Sequence, residues 1–222
     1  MSSGSRKRRH STSDKSLKAS PKICKYPLQV SGVTVTISDY LTLEKDFYLN
    51  DIIIDFYLAY LHHRKLDEDD QKRFFIFNSM FYKCLITDPE EDSKKAELES
   101  ISNLTRSEKR HGRVKRWTKS QNLADKEIVF IPVCKFSHWI LMIVQLSKGK
   151  IALTVMDSIH GENKEAVDAI TEYLSTELDF PRRKIEVFKP SVPKQGNGTD
   201  CGVFLLQFVE KFMERYGYLS VV

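Results

Sequence analysis

The segment Gln195-Gly196-Asn197-Gly198-Thr199-Asp200-Cys201-Gly202 concentrates the residue types that a thiol nucleophile needs. Glycine and Asn permit backbone angles closed to other residues, so this loop can bend tightly before a helix begins. Thr199 or Asp200 is placed to cap that helix. Cys201 then falls in its first turn, where unpaired N–H groups and the positive end of the dipole stabilise a thiolate. The thiolate is the reactive species, and an ordinary thiol is mostly protonated at neutral pH. Gln195 is close enough in the chain for its side-chain amide to reach a developing oxyanion, with the Cys201 backbone N–H as a second donor. One such donor is worth about 2.7–4 kcal/mol in the transition state. Gly202 leaves room beside the sulfur.

A thiolate also needs a base that can later protonate the leaving amine. His138 is the best placed of the six histidines, because it immediately precedes the apolar strand Trp139–Leu146 and so stands at its mouth. Asp157 ends the neighbouring strand, where a carboxylate fixes the imidazole tautomer and favours its protonated form. Nucleophile, base and orienter thus occur in the chain order His138, Asp157, Cys201. The remaining thiols, Cys24, Cys84 and Cys134, read as packing residues. Asp157 before Ser158 would by itself read as a turn. His62 and His63 fall on a helix, His111 in a basic segment and His160 in a turn, with no spacing that would hold a metal. The glycine loop has no Lys after it and does not match a phosphate-binding P-loop. The joint arrangement, rather than any single residue, points to acyl-transfer chemistry without metal or cofactor.

The elements that must hold these residues can be read from periodicity. Glu127–Val133 and Trp139–Leu146 are apolar runs, and Ser147-Lys148-Gly149 turns the second into Ile151–Met156, making a hairpin. Val33–Ile37 and Lys184–Phe188 read as shorter strands. Asn50-Asp51 caps a helix over Ile52–Leu61, and Phe74–Leu85, Glu162–Leu178 and Cys201–Tyr216 have helical patterning. A few strands with segregated helices make an α+β domain.

Charge is divided unevenly along the 222 residues. Residues 1–25 carry eight Lys/Arg against one Asp, leaving the other 197 residues at −2. The first 25 residues read as a disordered basic tail and 26–222 as the folded domain. Within the tail, Arg6-Lys7-Arg8-Arg9-His10 fits a nuclear import signal, an importin contact or a weak polyanion contact. A nucleic-acid-binding fold would carry its positive charge on the body instead. Residues 88–119 are acidic then basic, which reads as a charged surface insertion; docking of an acidic partner is the functional alternative. No apolar run reaches the roughly 18–20 residues that span a bilayer. Four scattered cysteines without a CxxC pair suit a reducing compartment. No long heptad pattern suggests a coiled coil, so a monomer is expected.

Four separated motifs resemble those of the ubiquitin-like-protein proteases, the Ulp or sentrin-specific peptidases. They are Tyr48-Leu49-Asn50-Asp51-x-x-Ile54-x-Phe56-Tyr57, Ser137-His138-Trp139, Met156-Asp157-Ser158 and Gln195-x-Asn197-x-x-Asp200-Cys201-Gly202, spread over residues 26–217. The resemblance implies a papain-like cysteine peptidase fold of the Ulp/adenoviral protease type, with a central mixed sheet flanked by helices. It implies cleavage after the Gly-Gly terminus of a modifier, usually SUMO, with His138, Asp157 and Cys201 as triad and Gln195 as oxyanion donor. It makes Trp139 the cover of a narrow tunnel that only Gly-Gly can thread, and assigns Tyr48, Asn50, Asp51, Asp200 and Gly202 to substrate binding. Tyr48 stands where the family commonly carries Trp or Phe, which implies a reshaped clamp. The segments 108–117 and 49–58 look most like the branch that trims SUMO chains, although the short stretch from His138 to Asp157 lacks that branch's large insertion. The implied address is the nucleus, with the cytoplasm as a second. The alternatives are a peptidase for another modifier, such as NEDD8 or ubiquitin, and a non-catalytic modifier-binding module.

Overall fold

The computed structural model describes residues 19–28, 32–87, 104–159 and 161–219, with side chains described up to residue 216. A two-stranded antiparallel ribbon, β1 (Lys22–Tyr26) and β2 (Val33–Thr36), leads into the helical turn α1 (Ile37–Tyr40). Next come α2 (Asp51–Lys65), α3 (Glu68–Arg73), β3 (Phe74–Ile76), α4 (Met80–Ile86) and α5 (Arg106–Val114). Strands β4 (Ile128–Lys135), β5 (His138–Ser147) and β6 (Lys150–Met156) follow, then α6 (Lys164–Glu177), β7 (Ile185–Phe188) and α7 (Cys201–Leu219).

Five strands form one sheet in the order β3-β4-β5-β6-β7. Its three central strands are antiparallel and both edges are parallel, so the sheet is mixed, as expected. Because strand side chains alternate between faces, β4 and β5 each serve two cores. Val129, Ile131, Ile140 and Met142 pack with Phe81, Tyr82, Ile170 and Tyr173 of α4 and α6. Phe130, Trp139, Leu141 and Ile143 pack with Ile54, Leu58, Cys201 and Leu205 of α2 and α7. Burial on both faces explains why these strands read as unbroken apolar runs rather than as alternating ones.

Three expectations change. The body begins before Tyr26: β1 occupies part of the segment expected to be tail, since its backbone pairs with β2 and Ile37 N–H donates to Pro21 O at 2.9 Å. Phe74–Ile76 is a strand rather than the start of a helix, because it completes the sheet beside β4. The basic half of the expected insertion is tied down as well. Val114 is fully buried, Arg110 pairs with Glu172 at 2.9 Å, and Thr118 and His111 both reach Glu177. The expected tail up to residue 18, the acidic loop over 88–99 and His160 lie outside the described residues. Among the described residues no helix is long and apolar enough to cross a membrane.

Candidate active site

Strands β4 and β5 are joined by a two-residue turn, Phe136-Ser137, with both residues at positive φ (50° and 60°). That geometry matches the strands' twist and brings His138 to the end of β5 directly opposite Lys135. Asp157 follows the last residue of β6, the next strand in the sheet. The two side chains therefore meet at one end of the sheet, His138 Nε2 to Asp157 Oδ1 at 2.7 Å. Cys201 opens α7, the helix packed on that sheet, and is buried with its Sγ 4.0 Å from Ser137 O and 3.9 Å from Thr199 O. With Nε2 committed to Asp157, the opposite edge of the His138 ring is the one left to interact with the sulfur.

The electrostatics follow from these contacts. The Asp157 hydrogen bond, aided by Cys201, raises the His138 pKa to about 9 against a smaller opposing effect of burial. Burial by itself pushes the Cys201 thiol up, but His138 and the backbone N–H groups of Trp139 and Gly202 outweigh it, and the net shift is downward. Asp157 is likewise pushed up by burial, yet held below the usual carboxylate value by His138, by Asn163 Nδ2 at 2.8 Å and by the Ile159 N–H at 2.9 Å. The site thus favours a thiolate beside an imidazolium, the charge state for attack followed by proton delivery.

Gln195 is fastened beside the triad. Its backbone N–H donates to Ser158 O at 3.2 Å, its Oε1 accepts from Ser158 Oγ at 2.6 Å, and its Nε2 donates one hydrogen to Asn197 O at 2.8 Å. That bond uses one of the two Nε2 hydrogens. Asn197 organises the approach to Cys201 by accepting the Thr199 and Asp200 N–H groups at 3.1 and 3.0 Å.

The expected substrate residues separate into two groups. Trp139, Tyr48 and Asp51 line a groove of about 440 Å³ that also includes Met80, Lys83 and Cys134. Trp139 is fixed by its indole N–H donating to Leu49 O at 2.9 Å, while Tyr48 is half exposed. Asn50, Asp200 and Gly202 are used inside the protein instead. Asn50 borders the groove, but its Oδ1 caps α2 through the Ile53 N–H (3.0 Å) and its Nδ2 donates to Asp39 (2.8 Å). Asp200 does not cap α7 with its side chain; Oδ2 accepts from Asn197 Nδ2 at 2.9 Å. Gly202 admits the Leu49 side chain rather than substrate, since a Cβ at residue 202 would lie 2.9 Å from Leu49 Cβ. Sequence reasoning missed Ser158, Asn163 and Lys194, whose Nζ donates to Asp157 O at 2.9 Å. Asn163 falls inside the expected helix Glu162–Leu178; the structure instead sets it just before α6 and turns its amide onto Asp157. Cys134, read as packing, is exposed on the groove wall. Among the described residues no cluster of His, Cys, Asp and Glu could hold a metal.

Comparison with known proteins adds an independent line. The family model "Ulp1 protease family, C-terminal catalytic domain" matches residues 48–217. Human Sentrin-specific protease 7 is 30% identical over 258 aligned residues, covering 85% of this chain and 24% of that protein. Sentrin-specific protease 6 of Mus musculus is 39% identical over 118 residues, 53% of this chain and 10% of that protein. Ubiquitin-like-specific protease 2 of Schizosaccharomyces pombe is 26% identical, covering 85% of this chain and 34% of the relative. The chain therefore spans about a third or less of the length of these relatives. A solved de-sumoylating protease superposes with a TM-score of 0.69 at 24% identity, covering 83% of this chain and 69% of that one. The SUMO protease Ulp1 with its catalytic cysteine oxidised to a sulfinic acid gives 0.62 at 23% identity, with coverages of 86% and 78%. These superpositions establish the papain-like α+β fold.

Proposed function

The chain belongs to the Ulp1 protease family, and on that premise we propose that it is a SUMO-specific cysteine isopeptidase. In this reading it cleaves after the modifier's Gly-Gly terminus, releasing target lysines or trimming SUMO chains. The observation that carries the reading is the His138–Asp157 contact at 2.7 Å beside a cysteine whose thiol is shifted toward the thiolate. Cys201 attacks the terminal Gly carbonyl, and the free Nε2 hydrogen of Gln195 with the Cys201 N–H holds the oxyanion. His138 gives its proton to the departing lysine amine, leaving a thioester. Water deprotonated by His138 then hydrolyses that thioester and restores the thiolate. The groove between Tyr48 and Trp139 receives the modifier's extended tail. The sentrin-specific names of the relatives and the de-sumoylating and SUMO-protease names of the solved neighbours support SUMO as the modifier, and the resemblance of 49–58 and 108–117 to the chain-trimming branch supports chains among the substrates. The cluster Arg6–Arg9 supports a nuclear address.

Covalent labelling tests this reading: SUMO, ubiquitin and NEDD8 carrying C-terminal electrophiles are incubated with the wild type and with Cys201→Ala. The expected result is a SUMO adduct that the variant does not form. Adducts only with another modifier would overturn the SUMO assignment. No adduct with any probe, from folded protein, would replace the peptidase by a modifier-binding module.

A further inference from the structure

Three separate pieces of chain line the groove, one of them the β4–β5 end with Cys134, Ser137 and Trp139. One wall is Tyr48, Leu49 and Asp51, at the entry to α2; the other is α4, which contributes Met80, Lys83 and Ile86. Helix α4 has only seven residues, and the side chain of its first flanking residue, Ser79, makes no capping bond to it. The first two N–H groups of α4 go to the neighbouring Asn78, Met80 N–H to Oδ1 at 3.0 Å and Phe81 N–H to O at 3.1 Å, whereas Ser79 itself is held from the opposite wall. Asp55 lies one helical turn beyond Asp51 on α2, and its Oδ1 accepts the Ser79 N–H at 2.7 Å while Oδ2 accepts the Ser79 hydroxyl at 2.9 Å. Both donors of one residue are thereby held by one carboxylate, and Ser79 is itself buried. A hydrogen bond to a charged acceptor is about twice as strong as a neutral one and narrower in geometry.

We propose that Asp55 is a positioning residue for substrate: through Ser79 it ties α4 to α2 and so fixes the width of the groove that receives the modifier's tail. It touches neither the triad nor the scissile bond, and acts on affinity by keeping Met80 and Lys83 at a set distance from Tyr48 and Asp51. This inference rests on the peptidase reading for its substrate, but the tie itself does not.

Two measurements on Asp55→Asn, Ser79→Ala and the double variant test it. Asn keeps one acceptor oxygen but presents an NH₂ where the second acceptor stood. With a SUMO C-terminal coumarin amide as substrate, each single variant should raise KM about 3- to 10-fold with kcat changed less than about twofold, as expected for losing one or two bonds to a charged group. The double variant should be no worse than the poorer single one, because both act on one contact. Hydrogen exchange should accelerate at the amides of residues 80–84 and stay unchanged in β5 and β6. An unchanged KM, a kcat that falls while KM stays, or unaltered exchange at 80–84 would overturn the proposal. Should Asp55→Asn fail to fold, Ser79→Ala, which removes a single bond, carries the test. Should the wild type hydrolyse no modifier, the peptidase reading falls and the exchange measurement alone decides the tie.

Discussion

At the scale of single residues, the triad divides its work between charge and placement. In the proposed mechanism the productive state is thiolate with imidazolium, so it exists above the pKa of Cys201 and below that of His138. Cys201 is depressed and His138 raised to about 9. The kcat/KM profile should therefore rise on an acid limb well below the ordinary thiol pKa and fall on an alkaline limb near pH 9, each limb belonging to the coupled pair. Asp157→Asn removes the charge that contributes most to holding the His138 proton, so the alkaline limb should move to lower pH as activity drops. A limb that stays near 9 would show that Asp157 is not what holds that proton. Cys201, His138 and Asp157 were legible in the sequence because each sits at a boundary the chain announces: a glycine loop before a helix, and the ends of two strands. Ser158, Asn163 and Lys194 were not, since their partners are 6 to 37 residues away in sequence and only the fold brings them together.

At the scale of elements, α7 matters most, because it must come close to the Tyr48–Asp51 segment without displacing it. Gly202 permits that approach. Gly202→Ala sets a helix-propensity gain of up to about 1 kcal/mol against an overpacking cost of roughly 1–3 kcal/mol. With Leu49 Cβ only 2.9 Å from the added methyl, the clash should win. Urea unfolding is expected to show a net loss on the order of 1–2 kcal/mol, and turnover should fall because Leu49 O also anchors the Trp139 indole. A stabilised variant would mean that Leu49 yields easily. The central hairpin was legible from its apolar runs and turn. Strand β3 was not: Phe74–Phe77 is apolar at every position, which fits a buried strand as well as a buried helix, and only its pairing with Ile128–Phe130 decides. The basic segment also misled, since its charges are on view in the sequence whereas the burial of Val114 and the Glu172 and Glu177 partners are not.

At the scale of the whole molecule, the domain starts earlier than composition suggests. Ile23 and Cys24 of β1 border an apolar cavity of about 540 Å³ with Val35, Ile53, Tyr57 and Leu206, and Ser20 Oγ accepts the Ser38 N–H at 3.0 Å. A chain beginning at Ala19 should melt above one beginning at Pro27, by roughly 5 °C for a loss of about 2 kcal/mol in a domain of this size. Equal melting temperatures would mean that β1 adds nothing to stability. Lysine-rich composition hid this strand, because pairing satisfies its backbone whatever its side chains carry. The placement of the triad has a further consequence. His138 and Asp157 travel with the sheet, whereas Cys201 travels with α7, and the α2–α7 core lies between them. Any slippage of that layer, even from a substitution as far along α7 as Met213, changes the sulfur's distance from its imidazole before it changes the helix content. The rate at which a small alkylating agent labels Cys201 is thus a strain gauge for the interior, reading how well two layers mesh from the reactivity of one atom.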